Sequence, residues 1–490
     1  MIIISNFYKV LRFDTFMSFY KNLLMNLPEV SSPVKKGTLK DRLLWTFGML
    51  VLFLFLASIP LYGVSGEQAD YFKTLELLLG AKIGTLLTLG IGPIVTSSIV
   101  LQLLKGAGIL NFDMQSEEGK FLYSGTQKLL TFIFVIVQSI VYVMFGAVAN
   151  DPSIANSYTF VVVQLALGGF LVVYMDEVVK KWGFGSGVSL FIAAGIGGAV
   201  FVQLFSPFNA VGDISIMDAD SPPVGKVWQF FIYIVAGNFA ALGTDVLAPI
   251  LVTVGLLFLI VFFQAVNVEI PLSFGRVKGQ GFRWPLNFFY AGVMPVILIS
   301  ALSANFQLWA RLLQSAAEKA DASAFTKFIS ENILGQYQGD VAVSGLVHWI
   351  SPVRIFENLG SFFTADVLLN ILTYTLFLVI GTTLFAYFWV QTAGMDSRSQ
   401  AQSILRSGLQ IPGFRKDARI IERVLDRYIV PLTLMGGIGI GLLTSFADLF
   451  SALTSGTGIL LLVMIIYQFY QQLARESMED FSLLRKLMRK

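Results

Sequence analysis

Long apolar runs, each ended by a short polar stretch, recur along the whole chain. A membrane-spanning helix needs about 20 mostly apolar residues. That rule predicts about ten spans, near 42–62, 83–104, 121–148, 157–179, 187–206, 245–268, 288–309, 366–392, 429–450 and 457–474. The stretch 226–242 is apolar and Gly-rich but short, and reads as a surface helix outside this set. One run departs from the others. In "TLGIGPIVTSSIVLQLL" (88–104), Gly90, Gly92 and Pro93 fall within one turn, and Thr96, Ser97 and Ser98 follow directly. Lipid tolerates such a segment only where protein or a water-filled cavity surrounds it. This helix is therefore expected to face something other than lipid.

Composition supports the class. The chain has 490 residues, 55% hydrophobic and 13% charged, against about 25% charged in soluble domains. The expected fold is an all-α polytopic membrane protein. There is no cysteine, which removes disulfides, thiol nucleophiles and thiolate metal sites. The one histidine, His348, reads as an ordinary exposed loop residue, which argues against a Ser-His hydrolase and a His-ligated metal. No cofactor is implied. The first thirty residues, "MIIISNFYKVLRFDTFMSFYKNLLMNLPEV", carry Lys9, Arg12, Asp14 and Lys21 among their apolar positions and lack a small-residue cleavage site. They read as an amphipathic helix at the membrane surface.

Charge then orients the spans. Lys35, Lys36, Lys40 and Arg42, Lys180 and Lys181, Arg276, Lys278 and Arg283, and the basic residues of 398–427 all fall on one side, as does the C-terminal tail. "EQAD", "NDPSIAN", "DISIMDADSPP" and a mixed loop at 310–365 fall on the other. By the positive-inside rule both termini are expected in the cytoplasm.

The spans lack ionisable groups. Asp176, Glu177, Asp245, Glu269, Asp366 and Asp448 sit near predicted helix ends. That argues against an ion-coupled pump or symporter and leaves an uncoupled carrier open. No Walker-type loop is present, so the chain has no ATPase of its own. Thr96, Ser97, Ser98, Gln138 and Asn305 are uncharged polar residues within spans, and taken singly each reads as interhelical glue. "GSGVSLFI" (185–192) and "GTGILLLV" (456–463) open the fifth and tenth spans, the faint repeat expected of two inverted five-helix halves.

The motifs "LGIGPIVTSSIVLQLL", "QKLL" with "QSIVYVM", "GFGSGVSLFIAAG", "VEIPLSFGRVKG", "PVILISALSANFQLW", "GFRK" and "RYIVPLT" occur in this order. Together, from about Leu27 to about Arg475, they closely resemble the SecY family, the central subunit of the protein-conducting channel, in its archaeal and eukaryotic branch. The resemblance implies about ten transmembrane helices in two inverted halves forming an hourglass. The N-terminal half is 42–206, after a cytoplasmic segment 1–41. An external connection spans 207–244, the C-terminal half 245–475 and a cytoplasmic tail 476–490.

By motif, the apolar pore ring would be Ile91, Val95, Val188, Ile192, Ile297 and Leu461. Branched aliphatic side chains make a constriction that dewets and resists ions. The plug would be 67–80, "EQADYFKTLELLLG", with Glu67, Tyr71, Phe72, Leu75 and Leu78. A lateral gate between the second and seventh helices would carry the polar cluster Thr96, Gln138 and Asn305. The basic loops 270–287 and 393–428 would dock the ribosome through Arg276, Lys278, Arg283, Arg415 and Lys416, since ribosomal RNA is polyanionic.

The implied function is to pass unfolded secretory chains across the membrane and release transmembrane segments into lipid. The implied partners are a SecE-type and a small beta-type subunit, the ribosome, nascent chains with signal sequences, and the lipid bilayer of the cell membrane, in an archaeal setting. The N-terminal extension and the insert "SAAEKADASAFTKFISENI" in 310–365 fall outside the family pattern. A small-solute carrier is the competing class. It would need a polar site at mid-membrane and has no use for long basic loops. An intramembrane protease stands further off, given a single loop histidine.

Overall fold

The computed structural model describes residues 20–487, except 36, 65–81, 111, 115, 145–147, 149–153, 155, 210–213, 215–220, 275–280, 318–322, 339–340, 354, 356–363, 408, 411–416 and 451. Eight helices among the described residues are long and apolar enough to cross a membrane. They are α3 (Glu117–Met144), α4 (Ser157–Trp182), α5 (Gly187–Phe205), α7 (Phe239–Ala265), α8 (Met294–Ala317), α11 (Ala365–Thr392), α13 (Ala418–Leu449) and α14 (Gly456–Leu487).

The other two expected spans are α1 (Leu39–Leu56) and α2 (Gly92–Gly106). α1 is 18 residues long and starts with Lys40, Asp41 and Arg42. Thr38 and Asp41 form a capping box at its start, which satisfies two orphan backbone donors. The stretch 226–242 holds a ten-residue helix, α6 (Lys226–Val235), too short to span.

The second span differs from expectation. Residues 82–91 are wound in turns and the helix begins only at Gly92. Gly84 and Gly90 take positive φ values of 79° and 49°, which break the helix. Pro93 then fits the first helical turn, where no N–H is needed. The broken stretch borrows its partners from the chain leaving α1. Leu61 N donates to Gly84 O at 2.9 Å and Leu86 N to Ile59 O at 3.1 Å. Such pairing is what allows non-helical backbone to persist at membrane depth. α4 closes over the same stretch, and a Cβ on Gly168 would lie 1.9 Å from Leu86 O.

A small sheet accompanies the predominantly helical fold. The basic loops contain a sheet of order β2-β1-β5, made by β1 (Asn267–Phe274), β2 (Gly281–Asn287) and β5 (Leu409–Gln410). β1 pairs antiparallel with β2, Ile270 facing Trp284, and with β5 through Ser273 and Phe274. One face buries Ile270, Leu272 and Leu286 against Ile404 of α12 (Ser397–Arg406) and Ile421 and Leu425 of α13. α13 thus begins at Ala418, not near 429, because Ile421, Leu425 and Ile429 form a buried stripe beneath the charged residues. The two basic loops are one packed unit.

On the opposite side, the loop after α8 is folded as well. It holds a helix, α9, over Ala324–Phe328 that continues as a wider turn through Ile329–Leu334, a short hairpin of β3 (Tyr337–Gln338) and β4 (Val341–Ala342), and α10 (Gly345–Ile350). His348 lies in α10, half-buried, not in an exposed loop, and its Nδ1 bonds Ala342 O at 2.8 Å. That contact makes it a structural residue.

Candidate functional site

Four helices begin inside the core, and their first turns carry aliphatic side chains. α2 brings Ile91 and Val95, α5 brings Val188 and Ile192, α8 brings Ile297, and α14 brings Leu461. All six are buried and belong to one hydrophobic cluster. Glycine or proline in each opening turn (Gly92 and Pro93, Gly187, Pro295, Gly456) lets these starts pack tightly. A Cβ on Gly187 would lie 2.6 Å from Asp176 Cα, and one on Gly456 would lie 2.0 Å from Ala447 C.

The three polar residues come together where α2 meets α8. Gln138 Nε2, on α3, donates to Thr96 Oγ1 at 3.3 Å. Asn305 Nδ2, on α8, reaches the same oxygen at 3.5 Å and donates to Ala301 O at 2.7 Å. Thr96 Oγ1 in turn donates to Gly92 O at 2.8 Å. The contacts to Thr96 are long; Thr96 and Asn305 are buried and Gln138 is half-buried. Beside them opens an apolar groove of about 280 Å³, lined by Phe134, Val137, Tyr142, Leu308, Trp309 and Leu312 among others.

Two further polar contacts hold α2 to α3. Ser97 Oγ bonds Thr131 Oγ1 at 2.7 Å, and Gln127 Nε2 donates to Ser98 Oγ at 2.7 Å. These hold α2 to α3, while Asn305 meets α2 from α8. The "TSS" triplet marks the first partners and Gln127 opens the "QKLL" motif, but nothing in the sequence points to Thr131.

A second crossing lies at the other end of α2. Lys105 Nζ donates to Gln391 O of α11 at 3.5 Å. A Cβ on Gly106 would lie 2.4 Å from the Phe388 ring.

The plug candidates Glu67, Tyr71, Phe72, Leu75 and Leu78 lie outside the described residues, as do Arg276, Lys278, Arg415 and Lys416. Arg283 is described. It stands exposed on β2 and pairs with Glu269 Oε2 at 2.8 Å.

Comparison with known proteins bears on this arrangement. The sequence model of the SecY family matches residues 85–470. Protein translocase subunit SecY of Pyrococcus furiosus is 37% identical over 471 residues, covering 94% of this chain and 96% of that one. The solved structure of a protein conducting channel is 35% identical with a TM-score of 0.76, covering 93% of this chain and 96% of the other. Canine Sec61, in a ribosome-channel complex from the endoplasmic reticulum, is 34% identical with a TM-score of 0.74 over 93% of this chain and 96% of its own. Matched in sequence and in fold over nearly its full length, and carrying the motifs in order, the chain belongs to the SecY family.

Proposed function

We propose that this chain is the pore-forming subunit of a protein-conducting channel, not an enzyme. It would pass unfolded polypeptide between its two halves and release apolar segments sideways between α2 and α8. The observation that carries this reading is the pairing of two features on the same helices. Aliphatic side chains at four helix starts close the centre, and a weakly bonded polar cluster spans the α2–α8 contact. An aliphatic seal resists ions yet offers a passing chain no fixed hydrogen bond. A solute carrier would place polar groups there instead.

The basic side is assigned to the cytoplasm, with both termini on it, in a cell membrane of archaeal type. The joined basic loops would meet ribosomal RNA, with Arg276, Lys278, Arg283, Arg415 and Lys416 as contacts. This is supported by the fold they share with the canine channel solved on a ribosome. The segment 67–80, between α1 and α2, would plug the external funnel. SecE-type and small beta-type subunits would complete the complex, and the translating ribosome would drive transport.

The absence of cysteine gives a clean test. Ile297→Cys is combined with a secretory chain carrying one cysteine, arrested on membrane-bound ribosomes and then oxidised. The expected result is a disulfide adduct that requires a functional signal sequence and moves with arrested length. No adduct at 297, 95 or 192 despite bound ribosomes would remove the ring, and solute uptake would become the next assay.

A further inference from the structure

The loop between α8 and α11 is an insert to which the channel reading gives no task. Its packing points to one. The stretch 306–313 of α8 has two working faces. Trp309, Leu312 and Leu313 line the groove beside the polar cluster. Phe306 and Ala310 pack against Leu334, Tyr337, Ala342 and Val347 of the insert, and Leu313 touches both the groove and this cluster. The insert is therefore built onto the end of α8, next to the mouth of the groove. Arg311 lies 3.9 Å over the Tyr337 ring, and Gln314 clasps the Tyr337 backbone from both sides, at 2.7 and 3.0 Å.

The insert turns several large apolar side chains outward among its polar ones. On α9, Ser330 and Leu334 face α8 and are buried, while Phe325 is 72% exposed, Phe328 55% and Ile333 50%. Phe325 and Phe328 are three residues apart and share a face. Lys327 and Glu331, four apart, share another and are also exposed. α10 adds Leu346 and Trp349 to the exposed apolar set.

Part of this set lies beside the exposed apolar side of a membrane-spanning helix. α10 packs on α11, where Thr373 Oγ1 reaches Trp349 O at 3.4 Å. The outward side of α11 there carries Leu368, Leu369, Leu372 and Leu376, all exposed. Trp309 on α8 is 47% exposed at the same end. The insert connects two membrane spans, following Ala317 and preceding Ala365. An amphipathic helix with aromatic residues on one face and Lys on the next, rimmed by tryptophans, has the chemistry of the headgroup boundary.

We infer that the insert is a membrane-seated brace. α9 lies in the leaflet opposite the basic loops, with Phe325, Phe328 and Ile333 among the acyl chains. Lipid is the occupant because α10, with exposed Leu346 and Trp349, packs on α11 beside the exposed Leu368, Leu369 and Leu372 of that membrane-spanning helix. The brace would fix the end of α8 at the depth where the groove opens.

Single-cysteine variants Phe325→Cys, Phe328→Cys, Lys327→Cys and Glu331→Cys test this. Each is labelled with an environment-sensitive fluorophore in the full chain, assembled with its partner subunits. The complex is placed in vesicles of phosphatidylcholine and phosphatidylglycerol. The expected result is blue-shifted emission at 325 and 328, quenched several-fold more by lipids bearing a shallow nitroxide than by aqueous iodide, with the reverse at 327 and 331. Equal quenching by iodide at all four positions would put the face in water and overturn the proposal. Protection of 325 and 328 from both quenchers would also overturn it, since a protein surface would then be the occupant.

Discussion

Asp448 Oδ1 accepts the backbone N–H of Thr457 at 2.8 Å. The Asp ends one helix of the C-terminal half and the Thr opens the next. In the N-terminal half, Asp176 Oδ1 accepts the N–H of Val188 at 3.0 Å, again from one helix to the start of its successor. Each carboxylate thus caps a helix start beside a ring position and meets the positive end of its dipole. The faint repeat of "GSGVSLFI" and "GTGILLLV" has this physical content: Gly lets the helices approach and Asp satisfies the exposed donors. Two of the carboxylates that the sequence places near helix ends are thus buried, and each accepts a backbone N–H with one oxygen while the other meets side chains, Lys180 for Asp176 and Tyr374 with the Thr457 hydroxyl for Asp448.

Removal of Asp448 should be costly, because Tyr374 Oη also donates to its Oδ2, at 2.6 Å, together with the Thr457 hydroxyl. Asp448→Ala would leave these donors unpaired, at about 1–3 kcal/mol for each buried group. The expected outcome is a lowered thermal midpoint of the purified complex, with Asp448→Asn retaining part of the loss. A variant as stable as the parent would show that water replaces the carboxylate and that the cap is dispensable.

The polar cluster sets how firmly α2 and α8 stay together. Its cross-helix bond from Asn305 to Thr96 is 3.5 Å long, so it holds weakly. Asn305→Leu would exchange it for an apolar contact and favour closure by about 1 kcal/mol, roughly a fivefold shift in the closed-to-open ratio. Weakly apolar signal sequences should then fail while strongly apolar ones still insert. Competition between two such reporters measures this, and a variant that accepts weaker signals would refute the assignment.

The far end of α2 makes the opposite prediction. Gly106 has no room for a side chain because the Phe388 ring fills the space. Gly106→Val would push α2 away from α11 and weaken closure. Ion conductance of the idle channel in planar bilayers should rise. Unchanged conductance would mean that the ring alone carries the seal.

Legibility followed the strength of each pattern. Apolar length placed the spans, and Gly90, Gly92 and Pro93 announced the broken one. The β1 strand escaped because its alternation is short and Pro271 and Pro285 interrupt both partners. The start of α13 escaped because Arg419, Glu422, Arg423 and Asp426 outweigh Ile421 and Leu425 in any reading by composition. The ring residues could be assigned only through the motif order. An isolated Val or Ile carries no sign of whether it faces lipid, core or pore.

The N-terminal strap offers a prediction in pH. Residues 20–31 lie across α3 and α4, where Tyr20 Oη meets Thr126 Oγ1 at 2.7 Å and Trp182 Nε1 donates to Ser31 O at 2.8 Å. Glu29 and Lys181 form an ion pair, and Lys181 also meets Glu177 at 3.0 Å, which pairs with Lys128 at 2.9 Å. The hydrogen bond from Lys181 holds the Glu29 carboxyl below its ordinary value of 4.5, against the opposing effect of burial and with help from the charges of Lys181 and Lys128. A depressed carboxyl binds fewer protons folded than unfolded, so its stabilisation is present above that ordinary value and is lost as pH falls through the lowered one. Spin labels on Asn26→Cys and Ser124→Cys should report a fixed distance near neutrality that broadens as pH drops through the acid range. Glu29→Gln should remove that step and leave Lys181 bound to Glu177. The same step in the Gln variant, or none in the parent, would show that apolar seating of Leu24 against Gly125 holds the strap without Glu29.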